Sequence, residues 1–219
     1  MFELNILTAF LTSLISLITL RSLAIKYNLV DYPSERKTHT GNIPLTGGLS
    51  VFLGILVSHL FFIEFHQFSS VLVITASLIL IQGIRDDFVN LKPKTKIAFQ
   101  VFISAIMIYI TDVKIESFGY LFGASYSLEL GILSIPITII AVIALTNAIN
   151  MIDGLDGLAA GIVIIAITGL ICFNLKLELS PFTSILLAVA SALLPFIIFN
   201  IASYPKIKGF LGDGGSLFL

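Results

Sequence analysis

Four polar segments carry the side chains best equipped for chemistry. The densest is Asn147 to Ala159, NAINMIDGLDGLA, in which Asn147, Asn150, Asp153 and Asp156 recur at every third position. Helical neighbours three apart lie on adjoining turns, so successive pairs can point toward one site. Gly154 and Gly157 each follow an aspartate and let backbone or ligand come close. Asp86 and Asp87 form an adjacent acidic pair, with Lys92, Lys94 and Lys96 downstream. Side-by-side carboxylates repel, and a divalent cation or a protonated partner relieves the repulsion. Hard oxygen donors suit Mg2+, which commonly works between one or two carboxylates and substrate phosphates. In Gly212-Asp213-Gly214-Gly215-Ser216, amides at a glycine-rich helix start could cradle phosphate oxygens, with Asp213 as a further metal ligand. Arg36, Lys37 and His39 would attract an anionic substrate or lipid head group.

Each segment also has a plainer reading. The acidic pair could be a solvated loop balanced by its lysines, and the glycine run a turn capped by Asp or Ser. The basic cluster could only set membrane orientation, and Phe210 could be an interfacial anchor. The segments gain weight together, through the elements that position them.

Those elements are membrane helices. The 219 residues are 57% hydrophobic and 11% charged, with a mean hydropathy of +1.06. Soluble domains carry roughly 25% charged residues. The composition is that of an all-α, polytopic integral membrane bundle. Seven apolar segments can be drawn, at about 4–20, 45–63, 68–84, 97–111, 130–146, 158–173 and 180–199, most near the ~20 residues needed to cross hydrocarbon. The segment at 97–111 is short, with Lys96 and Asp112 available to extend it toward the interfaces. The N-terminus lacks a basic stretch before the first run and a small-residue cleavage site, and the run reads as a retained span. An eighth segment begins at Ser216, so the expectation is one transmembrane domain over 1–219, truncated at its C-terminus. The single cysteine, Cys172, can form no intramolecular disulfide.

Orientation follows from lysine and arginine. Loops after the odd-numbered spans carry Arg21, Lys26, Arg36, Lys37, Arg85, Lys92, Lys94, Lys96, Lys206 and Lys208, against Lys114 and Lys176 on the other side. The positive-inside rule then puts the N-terminus outside and the odd loops in the cytoplasm. The same parity gathers Asp31, Glu35, Asp86, Asp87, Asp153, Asp156 and Asp213 on one face, where four polar loops could form one site. His39 is the only histidine on that face; His59 and His66 lie toward the other. No Ser/His/Asp set, zinc spacing or complete Walker motif is present. The balance of 12 basic and 13 acidic residues gives no reason to invoke nucleic acid.

In order, Asp31-x-Pro33 with Arg36-Lys37-x-His39 and Pro44-x-x-Gly47-Gly48, Asp86-Asp87 with Lys96, Asn147-x-x-Asn150-x-x-Asp153-Gly-x-Asp156-Gly-Leu, and Phe210-x-Gly-Asp213-x-Gly-Ser resemble the polyprenyl-phosphate N-acetylhexosamine-1-phosphate transferases of glycosyltransferase family 4. The likeness is greatest to the WecA-like branch and runs from about Asp31 to the last residue. It implies transfer of an N-acetylhexosamine-1-phosphate, GlcNAc-1-phosphate by preference, from a UDP-sugar to undecaprenyl phosphate, with release of UMP. The implied setting is the cytoplasmic face of a bacterial inner membrane, at the start of cell-surface polysaccharide synthesis.

The resemblance also distributes roles. It implies Asp213 and Asp87 for Mg2+, with Mn2+ as a substitute, and Asp86 with Asp87 as the catalytic carboxylates, Asp86 being the favoured base. It implies Asn147, Asn150, Asp153, Asp156 and Phe210 for the nucleotide-sugar, with Phe210 stacking on uracil. Arg36, Lys37, His39 and Lys96 fall to phosphate or lipid-phosphate, and a homodimer is left open. Gly214 departs from the alanine that many relatives have, a change expected to be tolerated. The competing readings are a phospho-MurNAc-pentapeptide transferase-type enzyme, a membrane transporter and an inactive truncated relative.

Overall fold

A computed structural model describes residues 2–33, 41–63, 66–121, 123, 127–174, 181–203 and 207–219. Among them the apolar segments form helices α1 (Phe2–Lys26), α2 (Gly47–Phe62), α3 (Gln67–Val89), α4 (Pro93–Thr111), α5 (Ser134–Ile152), α6 (Leu158–Asn174) and α7 (Pro181–Ile201). A short α8 (Gly212–Phe218) follows. Local signals mark the ends. The His66 ring accepts the Phe68 amide at 3.3 Å to open α3, and Asn90, at φ 51, closes it in the left-handed region. Pro93 then starts α4, where its fixed φ suits the first turn and its missing N–H is not needed.

Five units are long and apolar enough to cross a membrane: α1, α3, α4, α7, and α5 with the 3-10 turn before it. The chain is an all-α, multi-pass membrane protein. Helix α4 qualifies because its first turn, with Lys94 and Lys96, adds length to the short apolar segment. Helices α2 and α6, with 16 and 17 residues, are apolar but shorter. By length, five of the seven expected spans are supported.

Helices α1, α2 and α7 pack together, α6 lies against α7, and α4 lies between α3 and α5. In hydrocarbon, apolar burial drives little helix association, so close packing and interhelical hydrogen bonds carry more of it. Asn5 Nδ2 donates to the Ser184 carbonyl at 2.8 Å, Ser58 Oγ to the Asn5 carbonyl at 3.1 Å, and Ser13 Oγ to the Ala192 carbonyl at 2.8 Å. Each such bond is worth about 0.6 kcal/mol in a membrane bundle.

Two features matter for the site. Helix α8 packs against α2, α3 and α5. It fits because a Cβ on Gly48 would lie 2.2 Å from the Gly215 Cα, and one on Gly83 2.4 Å from the Asp213 carbonyl oxygen. The second feature is a two-stranded antiparallel ribbon, β1 (Val30–Asp31) with β2 (Ile43–Pro44), which the apolar pattern does not foretell. Phe210 and Leu211 extend it by backbone alone. The Phe210 amide donates to the Pro44 carbonyl at 3.0 Å, while the Gly47 and Gly48 amides donate to the Phe210 and Leu211 carbonyls at 2.9 and 3.0 Å. In the loop between α4 and α5, Ser117 and Glu129 form an isolated antiparallel bridge.

Candidate active site

One cavity of about 720 Å3 opens where α3, α5 and α7 end and α8 begins. Asp31, Asp87, Asp153, Asp156 and Asp213 line it, with Asn150, Asn200, Lys208 and Phe210. Loop parity therefore predicts a real convergence: five carboxylates from four chain segments share one space.

Helix α3 delivers Asp86 and Asp87 to different places. Asp87 faces the cavity and accepts the Asp213 amide at 2.9 Å and the Gly214 amide at 3.2 Å. Its carboxylate thus caps α8, satisfying amides that have no partner inside the helix. Helix α8 accordingly starts at Gly212, four residues before the expected Ser216. The same contacts correct the phosphate-cradle reading of the glycine run, because a protein carboxylate already occupies those amides. Gly212, at φ 73, leaves room for this; a Cβ there would lie 2.8 Å from Asp87 Oδ2.

Asp86 turns the other way. It is 2% exposed, accepts the Leu91 amide at 2.7 Å and forms an ion pair with Lys96. It is not part of the cavity wall. Lys96 also reaches Asp213 Oδ2 at 3.4 Å, so one ammonium spans the buried carboxylate and the cavity-facing one. Asn150 Nδ2 donates to Asp213 Oδ1 at 3.0 Å and to Ser216 Oγ at 2.7 Å. Burial and a hydrogen bond with Asp86 raise the Asp213 pKa above its ordinary value.

The NAINMIDGLDGLA segment divides at its middle. Asn147 Nδ2 donates to Gln100 Oε1 at 2.7 Å and is not a cavity-lining residue; its contact joins α5 to α4, one turn from Lys96. Asp153 closes α5, and Asp156 follows on an exposed turn that lines the cavity. Burial, with Asp213, Asp87 and Asp156 nearby, pushes Asp153 up to about 7. Asp156 forms an ion pair with Lys208, whose ammonium lies 5.5 Å from the centre of the Phe210 ring. Asn200 ties the two loops together: it accepts the Gly157 amide at 2.5 Å and donates to the Gly209 carbonyl at 3.1 Å.

Sequence reasoning missed three lining residues. Lys208 counts there only toward orientation, Asn200 sits inside an apolar run, and Asp31 is one acid among seven. The signal available for Lys208 was its place two residues before Phe210. Arg36, Lys37 and His39 lie outside the described residues.

The donor set fits a hard cation bound in part. Among the described residues, no three His, Cys, Asp or Glu side chains converge as a ready-made metal cage. Yet several carboxylates crowd one cavity, and that crowding helps raise Asp153. Such a site suits Mg2+ held by one or two carboxylates and completed by phosphate and water. The arrangement can receive a phosphorylated ligand whose negative charge a cation and Lys96 offset, with the Phe210 ring lining the same cavity.

Known proteins agree with that chemistry. The glycosyl transferase family 4 profile matches residues 69–219. The chain is 35% identical, over 98% of its length, to a Bacillus subtilis (strain 168) protein named "Probable undecaprenyl-phosphate N-acetylglucosaminyl 1-phosphate transferase", covering 60% of that relative. It is 35% identical to the Salmonella typhi undecaprenyl-phosphate alpha-N-acetylglucosaminyl 1-phosphate transferase, again over 98% of this chain and 59% of the relative. The Escherichia coli (strain K12) protein of the same name is 32% identical over the same shares. The chain thus spans about 60% of the length of the curated relatives it matches. With the profile covering well over half of the chain and the cavity built from the family's ordered motifs, this protein belongs to glycosyl transferase family 4.

Proposed function

We propose that the protein transfers N-acetylglucosamine-1-phosphate from UDP-N-acetylglucosamine to undecaprenyl phosphate, releasing UMP and starting a cell-surface polysaccharide on its lipid carrier. The observation that carries this reading is the cavity: five carboxylates, a lysine and an aromatic ring meet at the ends of membrane helices. A lipid phosphate can reach such a place while its tail stays in hydrocarbon. The lysine and arginine distribution supports placing the cavity on the cytoplasmic face of a bacterial inner membrane, with the N-terminus outside.

An oxygen of the lipid phosphate attacks the β-phosphorus of the nucleotide-sugar. The bond from that phosphorus to the bridging oxygen breaks, and UMP leaves with that oxygen. One phosphoanhydride replaces another, so no ATP-binding element is needed. The second ionisation of a phosphate monoester lies near pH ~6, so at neutral pH the attacking oxygen is largely charged already. The main obstacle is repulsion between two anions, which phosphoryl-transfer sites meet by positioning and electrostatic stabilisation.

Asp87 and Asp213 would hold Mg2+, or Mn2+ in its place, and the bound cation would offset charge on the diphosphate. Asn150 orients Asp213 by its 3.0 Å hydrogen bond. Lys96 contacts the incoming phosphate from its seat between Asp86 and Asp213. Asp86 holds that lysine through their ion pair. Asp153 and Asp156 face the nucleotide-sugar, with Phe210 stacking on uracil.

The test uses membranes carrying the protein, expressed from its complete reading frame, with undecaprenyl phosphate and UDP-N-acetylglucosamine. The expected result is Mg2+-dependent formation of lipid-linked sugar with one UMP released per product. Asp213→Asn should lower turnover by about 100-fold or more, as loss of one transition-state stabilising group does. No turnover with any UDP-N-acetylhexosamine would overturn the reading.

A further inference from the structure

Next to the ionic contacts of Lys96 lies a second polar layer, which the proposed mechanism leaves unused. Gln82 of α3 and Gln100 of α4 are 6% and 2% exposed. Gln82 Nε2 donates to the Lys96 carbonyl at 3.1 Å, and Asn147 Nδ2 of α5 donates to Gln100 Oε1 at 2.7 Å. The sense of the second contact is fixed. The same Nδ2 also donates to the Ile143 carbonyl at 2.8 Å, and a carbonyl only accepts. Gln100 must therefore turn its oxygen to Asn147 and its NH2 away. Gln82, for the same reason, turns its NH2 to the Lys96 carbonyl and its oxygen away. Gln82 Oε1 and Gln100 Nε2 are buried and make no hydrogen bond among the described residues. A buried polar atom without a partner costs free energy, and methionine would fill either place without that cost. Stability alone gives no reason for two glutamines here.

Their places in the sequence give one. Gln82 stands four residues before Asp86, Gln100 four after Lys96, and Asn147 three before Asn150. Residues three or four apart share a helix face, so the amide layer repeats the ionic layer one turn toward the middle of each helix. In the ionic layer Lys96 pairs with Asp86 and stands 3.4 Å from Asp213 Oδ2, and Asn150 holds Asp213 at 3.0 Å. The 3.4 Å contact leaves little slack. Sliding α4 by one residue would carry the ammonium about 1.5 Å along the helix, enough to lose it. We propose that Gln100 and Gln82 are positioning residues that fix the height of α4 between α3 and α5, so that Lys96 spans Asp86 and Asp213. The inference rests on the proposed action of Lys96 on the incoming phosphate and deepens it. Gln82 holds Lys96 by its own carbonyl, and Gln100 holds it from one turn away through Asn147. The Gln100–Asn147 bond also lies one turn from Asn150, so it sets the lysine and the asparagine that flank Asp213 relative to each other. Neutral amides do this without adding a charge that would compete for the ammonium.

The test compares Gln100→Met and Gln82→Met, alone and combined with Lys96→Met, in protein expressed from the complete reading frame. Gln100→Met should lower kcat by about 10-fold or more, as misplacing a group by ~1 Å does, and Gln82→Met by less. UMP affinity, read by calorimetry, should stay within about 2-fold, because neither glutamine lines the cavity. Thermal unfolding in detergent should not fall, since each change removes a buried polar atom without a partner. In a Lys96→Met background, adding Gln100→Met should cost less than about 2-fold, because the two residues act as one unit. An equal loss with and without Lys96, or full turnover in both glutamine variants, would overturn the inference and leave the proposed function standing. A second readout needs no turnover. The Lys96 side chain is 24% exposed, and Gln100→Met should raise its labelling by a water-soluble amine reagent as the ammonium leaves its seat. Unchanged labelling would overturn the inference by itself, whereas a wild-type protein that turned over no UDP-sugar would remove the proposed function separately.

Discussion

The two walls of the cavity are built differently. On the α3–α4–α8 wall, Asp87 is locked by two α8 amides, Asp86 is buried against Lys96, and helix backbones touch at Gly83 and, where α2 meets α8, at Gly48 and Gly215. On the α5–α6 wall, Asp153 and Asp156 sit on a turn where a Cβ on Gly154 would meet nothing within 4 Å. That turn is tied by one asparagine and one ion pair. In the first wall, carboxylate positions follow from backbone packing and can change only if helices move. In the second, they follow from side-chain contacts that a ligand can rearrange. The groups proposed to act nearest the phosphorus atoms lie in the fixed wall, and those proposed to recognise the nucleotide in the adjustable one.

The contrast can be broken most severely at Gly48. A Cβ there would sit 2.2 Å from the Gly215 Cα, a backbone atom that cannot rotate aside. Gly48→Val should therefore displace α8, abolish turnover and lower the midpoint of thermal unfolding in detergent. Wild-type activity in that variant would show that the wall is not fixed by backbone contact. The same substitution at Gly154 should have little effect on unfolding.

Asp87→Asn comes next. Two amides now donate to two carboxylate oxygens; an asparagine offers one acceptor and turns an NH2 group toward the second amide. The unpaired amide should cost about 1–3 kcal/mol, read in chemical denaturation. Activity should fall with stability, because the residue both caps α8 and faces the cavity. A loss of turnover with no change in stability would assign Asp87 to chemistry alone.

The smallest effect sharpens the adjustable wall. The Asp153 carboxyl is raised from 3.8 to about 7, so the folded protein holds a proton there that the unfolded chain releases. Ionising the group thus weighs against the fold. The penalty is absent below pH ~4, grows as pH rises toward about 7 and is full above it. Asp153→Asn removes it. The variant should unfold at a higher temperature than wild type at pH 8, and at the same temperature near pH 4. A constant difference across that range would show that Asp153 does not carry the shift.

Much of the architecture was legible in the sequence, because a membrane helix announces itself locally. Apolar runs located seven helices, and lysine and arginine parity gathered the acids at one end. What stayed hidden depends on partners far apart in the chain. Nothing near Asp87 indicates that it caps a helix 126 residues later, so the pair at 86 and 87 read as neighbouring groups for base and metal, with no structural task for Asp87. The three-residue spacing of Asn147, Asn150, Asp153 and Asp156 suggested one shared target. The helix ends at Ile152, however, and Asn147 faces Gln100 instead. Lys208 resembled any loop lysine because its distinction lies largely in Asp156 and Arg21, both far from it in sequence, with Phe210 two residues on as the one local signal. Gly48 and Gly215 read as motif or phosphate signals and Gly83 drew no notice inside its apolar segment, whereas their use is to let helices meet.

The ribbon that Phe210 and Leu211 extend is held wholly by backbone amides and carbonyls. Its strength is nearly independent of which side chains it carries, proline and glycine positions apart. Side chains along it can therefore drift without loosening the frame that presents Phe210 to the cavity. Substitutions that project from the ribbon can alter the cavity mouth while the hydrogen-bonded frame stays in place.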